Sequence, residues 1–224
     1  MSNIYLIAGL GADTRVYNNI DLYDHDVTPV DWIEPDKTDT LSNYAQKLIN
    51  QYSIIPNSII IGNSMGGILA VEIAKIIPVK TTIIISSIKV SAEAPWYFSL
   101  FRALPIYKII PGKFFTSMGF MIKPLFGHMS AEDAWLLNDM LKNSSPTFVT
   151  WAMGAILHWK NDVIPPNLYH ITGDKDLIFS YERIHNATIV EDGTHIMIFD
   201  RAKEINKLLK QILKNETNRT ILPR

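Results

Sequence analysis

Ser64 lies in the stretch Gly62-Asn63-Ser64-Met65-Gly66, which matches the pattern G-x-S-x-G. Three isoleucines precede this stretch and a long apolar segment follows it, so the pattern stands between a predicted strand and a predicted helix. Glycine tolerates positive φ and close backbone approach, and the flanking glycines therefore allow a tight turn. Such a turn presents the serine hydroxyl at its tip as a candidate nucleophile. The alternative interpretation is a tight turn without chemistry.

A serine hydroxyl needs a base, and the base needs an orienting group, before it can act as a nucleophile at neutral pH. His195 follows the last predicted strand and precedes the last predicted helix, which places it at the sheet edge that carries Ser64. Asp174 and Asp176 both follow the preceding strand and reach the same edge. We expect Asp174 to bond local turn amides and Asp176 to orient His195. A solvated loop histidine is the alternative for His195.

The sequence GLGAD, which begins at Gly9, closes the first predicted strand. Glycines beside a backbone N–H let that group approach a ligand oxygen closely. The Leu10 and Met65 amides are therefore candidate donors of an oxyanion hole. We expect Asp13 to be the N-cap of the short segment 14–19 rather than a catalytic acid.

These residues require a scaffold of alternating strands and helices. Short runs rich in Ile and Val predict strands, and apolar residues at helical spacing predict helices. The predicted strands are residues 3–10, 27–33, 58–61, 82–85, 167–172 and 187–190, and the predicted helices are 40–52, 66–77 and 196–213. Thr40 or Asp39 is the expected N-cap of the first helix. This alternation indicates an α/β fold with a mostly parallel sheet covered by helices on both faces.

The interval 89–165 interrupts the alternation, and most of the tryptophan, phenylalanine and methionine residues lie in it. Prolines divide it into short pieces, and we predict a helical lid inserted after the fourth strand. The domain prediction is then a core of residues 1–88 and 166–214, a lid of residues 89–165 and a flexible tail of residues 215–224. The lid aromatics either pack on the sheet domain or line an apolar pocket that faces Ser64, and both are expected.

Composition excludes several classes of function. The chain has 224 residues, 47% of them hydrophobic, and a formal net charge of −1, which indicates a globular protein with a large core and no nucleic-acid partner. The absence of cysteine removes disulfides and thiolate chemistry. No metal-binding motif is present, and we expect no metal and no cofactor. No apolar run is long enough for a membrane span or a signal peptide, so a cytoplasmic location is predicted.

The motifs together resemble those of the α/β-hydrolase fold superfamily, from Tyr5 to about Leu209. They are the GLGAD loop, GNSMGG around Ser64, GDKD ending at Asp176, and GTH ending at His195. In that family the acid usually stands three residues after the glycine, which favours Asp176. One departure is Ala8, where many members carry a histidine. The chain also lacks the first antiparallel strands of the family, so the resemblance implies about six strands.

The resemblance and the residues favour a serine hydrolase that cleaves a carboxylic ester with an apolar portion through an acyl-serine. A thioesterase, then a C–C hydrolase or lyase on the same triad, are the next alternatives. Epoxide hydrolases and dehalogenases of this fold use an aspartate where Ser64 stands and are disfavoured. A non-catalytic ligand-binding protein or a silent interaction module also remains open, because fold does not fix function. The expected partner is a small-molecule ester or thioester.

Overall fold

The computed structural model describes residues 2–105, 107 and 129–221. A single sheet lies at its centre. Its strands are β1 (Asn3–Ile7), β2 (Asp26–Val30), β3 (Ile59–Asn63), β4 (Thr81–Ile85), β5 (Leu168–Gly173) and β6 (Thr188–Val190). The spatial order is β2-β1-β3-β4-β5-β6 and each neighbouring pair is parallel. The prediction of an α/β-hydrolase fold with six mostly parallel strands is confirmed.

Burial of both sheet faces explains why the central strands are runs of isoleucine. Side chains alternate across a strand. In β3, Ile60 belongs to the apolar cluster on one face, while Ile59 and Ile61 belong to the cluster on the other. All three are at most 1% exposed, as expected for a parallel sheet covered on both sides. Pro29, which lacks an N–H, lies in the edge strand β2, where a proline is tolerated.

Seven α-helices occur in the described residues. They are α1 (Leu41–Tyr52), α2 (Met65–Ile76), α3 (Tyr97–Ala103), α4 (Ala131–Asn143), α5 (Pro146–Leu157), α6 (Met197–Asp200) and α7 (Ala202–Ile221). Thr40 is the N-cap of α1, and its side chain accepts a hydrogen bond from the Asn43 N–H. Within the part of the chain that the structure describes, no helix has the length and hydropathy needed to cross a membrane.

Some element boundaries differ from the sequence-based ones. β1 ends at Ile7 rather than at residue 10, because a turn follows in which the Ala12 N–H donates to the Gly9 carbonyl at 3.1 Å. The helix predicted over residues 196–213 is two helices, separated at Arg201, whose φ of −120° is outside the helical range. α7 then continues to Ile221, which includes most of the segment predicted as a tail.

The segment between β4 and β5 holds the 3₁₀ helix Ser91–Glu93 and helices α3 to α5 in its described part. Residue 106 and residues 108–128 of the predicted lid lie outside the described residues. Aromatic side chains of this segment pack on the sheet domain: the Phe148 ring lies 4.7 Å from that of Trp32, and the Trp151 ring 4.5 Å from that of Tyr44. Part of the aromatic content therefore serves packing.

Candidate active site

Ser64 occupies a strained turn between β3 and α2. Its φ is 52° and its ψ is −118°, an uncommon conformation for a residue with a Cβ. The turn is possible because glycines surround it: a Cβ at Gly62 would lie 2.1 Å from the Gly66 carbonyl oxygen. A Cβ at Gly66 would lie 2.2 Å from the carbonyl oxygen of Ile7 in the neighbouring strand. The predicted strand–turn–helix is therefore present, with the serine side chain at its tip.

His195 and Asp176 extend a chain of hydrogen bonds from Ser64. The Nε2 atom of His195 lies 3.0 Å from the Ser64 Oγ, and its Nδ1 lies 2.9 Å from Asp176 Oδ2 and 3.1 Å from Oδ1. The Asp176 side chain is fully buried and that of His195 is 7% exposed. A carboxylate on Nδ1 favours the tautomer with its proton there, which leaves Nε2 free to accept the serine proton. The three residues predicted from sequence therefore meet.

Two glycine loops bring the acid and the histidine together. A Cβ at Gly173 would lie 2.0 Å from the Gly193 carbonyl oxygen, so the loops after β5 and β6 are in backbone contact. The Lys175 N–H donates to the same carbonyl at 2.9 Å. This contact fixes the spacing between Asp176 and His195.

The structure differs from the prediction that Asp174 bonds the local turn amides. Its Oδ1 is buried and has no hydrogen-bond partner among the described residues. The local amides are bonded by Asp176 instead, whose Oδ1 accepts from the N–H groups of Ile178 at 2.8 Å and Phe179 at 2.9 Å. The Asp176 carboxylate thus accepts from the two turn amides and also contacts Nδ1 of His195.

Leu10 and Met65 lie on adjoining backbone segments beside Ser64. Met65 is the first residue of α2, and a Cβ at Gly9 would lie 3.1 Å from the Cβ of Ser64. Neither amide N–H donates to another group among the described residues 2–105, 107 and 129–221. The amino end of α2 also carries a partial positive charge. This arrangement can accept a negative oxygen near Ser64.

Aromatic side chains lie on one side of the histidine. The Phe179 ring lies 5.5 Å from the His195 ring, and the Phe98 ring lies 6.4 Å from that of Phe179. The Tyr97 hydroxyl donates to the Ile178 carbonyl at 2.7 Å. Burial, and the nearby Asp176 charge, raise the pKa of Tyr97 to about 12, so the phenol stays protonated at neutral pH. The buried Phe179 ring therefore shields one side of the His195 ring.

Two cavities lie beside the helices of the predicted lid. The smaller, of about 240 Å³, is next to the Leu10 loop and is lined by Ala12, Trp32, Met140 and Phe148 among others. The larger, of about 970 Å³, lies between α1, α2 and α5. Its described lining residues do not include Ser64, Asp176 or His195. The size of a cavity therefore does not show where the candidate active site lies. No described group of three His, Cys, Asp or Glu side chains forms a metal-site arrangement.

A second buried polar cluster stands behind Ser64, and the sequence analysis did not single it out. It comprises Ser87, Lys89, Glu93 and His170, each at most 3% exposed. Burial, and then the Lys89 charge, lower the pKa of His170 to about 3, so this imidazole is neutral at neutral pH. The available sequence signal was a histidine within the apolar strand β5, a position where an unpaired polar group is costly.

Comparison with known proteins identifies the family and the fold. The profile of the alpha/beta hydrolase family matches residues 3–208, and the chain belongs to that family. An esterase of Thermogutta terrifontis superposes with a TM-score of 0.76 at 14% identity, over 96% of this chain and 90% of that one.

Two further structures are similar in fold. The esterase EaEST of Exiguobacterium antarcticum has a TM-score of 0.72 at 15% identity, covering 96% of this chain and 92% of its own. A bromoperoxidase of Bacillus anthracis has a TM-score of 0.71 at 18% identity, covering 95% and 92%. No curated protein matches the chain in sequence. At these identities the structural similarity defines the fold.

Proposed function

We propose that the protein is a serine hydrolase that cleaves carboxylic esters with an apolar portion through an acyl-serine intermediate. Ser64 is the nucleophile, His195 the base and Asp176 the group that orients it. The observation that carries the proposal is the continuous set of hydrogen bonds from the Ser64 Oγ through both His195 nitrogens to a buried carboxylate. Membership of the alpha/beta hydrolase family supports it.

In the acylation half, the Ser64 Oγ attacks the ester carbonyl carbon while His195 Nε2 takes its proton. The carbonyl oxygen becomes an oxyanion, which the N–H groups of Leu10 and Met65 stabilise by hydrogen bonds. The C–O bond to the alcohol then breaks, and the leaving oxygen receives the proton from His195. Asp176 stabilises the transient imidazolium and keeps Nε2 directed at the serine.

In the deacylation half, water attacks the acyl-serine and gives its proton to His195 Nε2. The second oxyanion collapses, the bond between the acyl carbon and the Ser64 Oγ breaks, and the serine regains the proton from His195. The carboxylic acid leaves and the enzyme is restored. Thioesters fit the same two steps with a thiol as the leaving group, and a C–C hydrolase or lyase would use the same three side chains on a different bond.

Covalent labelling tests the nucleophile. A fluorophosphonate probe should attach one equivalent to the wild-type protein at Ser64, and the Ser64→Ala variant should not be labelled. Multiple turnover of a p-nitrophenyl ester then distinguishes an enzyme from a ligand-binding protein that reacts once. Acyl-CoA thioesters in the same assay separate the two substrate classes. A wild-type protein that neither reacts with the probe nor turns over any ester would overturn the proposal.

The apolar portion of the substrate follows from the side chains beside His195. Phe98 and Phe179 are buried and belong to one apolar cluster with Met65. Each methylene buried there is worth about 0.8 kcal/mol, or roughly fourfold in kcat/KM. We expect kcat/KM to rise from acetyl to medium-chain p-nitrophenyl esters. Equal values for the two would mean that these aromatics serve packing only.

A further inference from the structure

The last residue of β4 and the loop that follows it bond both backbone polar groups of Ser64. The Ser64 N–H donates to the Ile85 carbonyl at 2.9 Å, and the Ser87 hydroxyl donates to the Ser64 carbonyl at 2.7 Å. A residue in a sparsely populated region of φ and ψ is higher in energy by roughly 1–3 kcal/mol and stays there only when its surroundings fix it. These two bonds supply such restraint to the strained turn.

Ser87 is itself closely packed. A Cβ at Gly67 would lie 2.4 Å from the Ser87 Oγ and 2.6 Å from its Cβ, so the first turn of α2 rests directly on this side chain. Ser87 is therefore in direct contact with the helix turn that follows Ser64.

His170 bonds the backbone of Ser87. Its Nε2 lies 3.0 Å from the Ser87 carbonyl oxygen, and its Nδ1 lies 3.2 Å from the Lys89 ammonium. An ammonium group can only donate, so Nδ1 accepts and the ring proton is on Nε2, where it bonds to the carbonyl. The Lys89 charge thus selects the tautomer that contacts Ser87.

Lys89 is held by further partners. Its ammonium also donates to Glu93 Oε1 and to the His185 carbonyl, and the Lys89 backbone N–H donates to Glu93 Oε2 at 2.9 Å. The three hydrogen-bonding partners of the ammonium match its three donors. Burying such a pair carries a large desolvation cost and is weak evidence for stability. Its clear structural consequence is a fixed position for His170.

We propose that Ser87 is a positioning residue for the nucleophile, and that the buried Lys89–Glu93–His170 cluster keeps Ser87 in place. The inference rests on the proposed function of Ser64. Ser87 touches no reacting atom: it acts through the Ser64 carbonyl by maintaining the backbone angles that direct the Oγ at His195. Loss of this restraint should slow bond formation at Ser64 while substrate binding is unchanged.

Two neighbouring serines provide a matched test. Ser86 is also fully buried, but its Oγ has no hydrogen-bond partner within the described part of the chain. Ser87→Ala should lower kcat on a p-nitrophenyl ester and the rate of fluorophosphonate labelling roughly ten- to hundredfold, the scale expected when a reacting group is misplaced by up to about 1 Å. KM should stay within about twofold. Ser86→Ala should change neither constant by more than about twofold.

His170 offers a conservative pair. The amide of His170→Gln can still donate to the Ser87 carbonyl, whereas His170→Leu cannot. The leucine variant should lose about as much kcat as Ser87→Ala, and the glutamine variant should recover most of it. The double variant Ser87→Ala/His170→Leu should be no slower than its slower parent, because both changes remove one restraint.

The outcomes separate this inference from the proposed function. A wild-type protein that reacts with the probe, together with a Ser87→Ala variant of unchanged kcat or with its loss confined to KM, would overturn the positioning role alone. A wild-type protein that does not react would overturn the proposed function and with it the basis for positioning. If Ser87→Ala fails to fold by circular dichroism, Ser87→Cys, a similar shape with a weaker donor, should show an intermediate kcat, and an unchanged kcat would reject the role.

Discussion

Two buried histidines, His195 and His170, use both ring nitrogens but face opposite charges. His195 has the Asp176 carboxylate at Nδ1 and the Ser64 hydroxyl at Nε2, whereas His170 has the Lys89 ammonium at Nδ1 and a carbonyl at Nε2. A carboxylate stabilises an imidazolium and an ammonium destabilises it. The first arrangement suits a group that takes and returns a proton, and the second suits a group that keeps one fixed tautomer.

Removal of the hydroxyl that faces His195 should cause the largest loss of activity. Ser64→Ala should lower ester turnover by roughly four to six orders of magnitude, as loss of a triad serine does, because no alkoxide can form. The fold should be unaffected, since the Oγ is at the tip of a turn. Steady-state kinetics and circular dichroism measure both. Near-normal turnover in this variant would refute the role of Ser64.

The charge at Nδ1 of His195 has the next largest effect. Asp176→Asn should reduce kcat by roughly 10³ to 10⁴, because an amide can impose the wrong tautomer and does not stabilise the imidazolium. Asp174→Asn is the matched control, two residues away, and should cost little activity because the Asp174 Oδ1 has no hydrogen-bond partner among the described residues. Comparison of kcat for the two variants decides the assignment. Reversed results would assign the acid to Asp174.

The ion pair behind His170 should matter for stability. Lys89→Met leaves the Glu93 carboxylate buried without its cation, and it should lower the free energy of unfolding by about 3–5 kcal/mol. The double variant Lys89→Met/Glu93→Leu removes both charges and should be clearly more stable than the single one. Urea denaturation followed by circular dichroism measures the difference. A single variant as stable as wild type would show that Lys89 and Glu93 are not strongly coupled.

The smallest predicted effect is the contribution of His170 to the pH dependence of the free energy of unfolding. Its pKa is about 3 in the folded state, below the value of about 6.5 in the unfolded chain, so between these values the unfolded chain binds the extra proton. The free energy of unfolding should therefore fall as pH falls below about 6.5, by at most about 1.4 kcal/mol per pH unit and by about 2 kcal/mol between pH 6 and 4.5.

His170→Gln, which does not titrate, is the control for this prediction. Urea denaturation at several pH values should give the variant a flatter dependence than wild type, and the difference between the two curves isolates the contribution of His170. Lys89 and the Ser87 carbonyl contact the ring, the Asp176 charge acts on it from farther away, and Glu93 bonds the Lys89 ammonium. Parallel curves would mean that His170 is not held neutral in the folded state.

Local sequence patterns predict much of the scaffold. The isoleucine runs are typical of a parallel sheet, and glycine spacing around Ser64 indicates a tight turn, because both depend on the backbone period and on the absent glycine side chain. The prediction that Asp13 caps the following segment is confirmed, since its side chain accepts from the Arg15 N–H at 3.0 Å. In each case the cause lies within a few residues of the effect.

The sequence did not predict how the aromatic side chains between β4 and β5 pack, or that the last helix is broken. The Trp151 ring packs against that of Tyr44, and its Nε1 donates to the Asp39 carbonyl, 112 residues away in sequence. Helical periodicity continues across Arg201 in the sequence, whereas the backbone there departs from helical angles. Which partner a side chain finds, and where a helix divides, depend on neighbours that the local pattern does not contain.

The sequence alone thus determined the strand order along the chain, the strained serine turn, and the sheet edge at which Asp176 and His195 join Ser64. Tertiary structure decided which carboxylate accepts from the local amides, and it decided the low pKa of His170. Lys89 and His170 are 81 residues apart, and only the pairing of β4 with β5 brings an ammonium to that imidazole. The physical reason is that a pKa is set by burial and by charges within a few ångströms, and these are properties of the assembled fold.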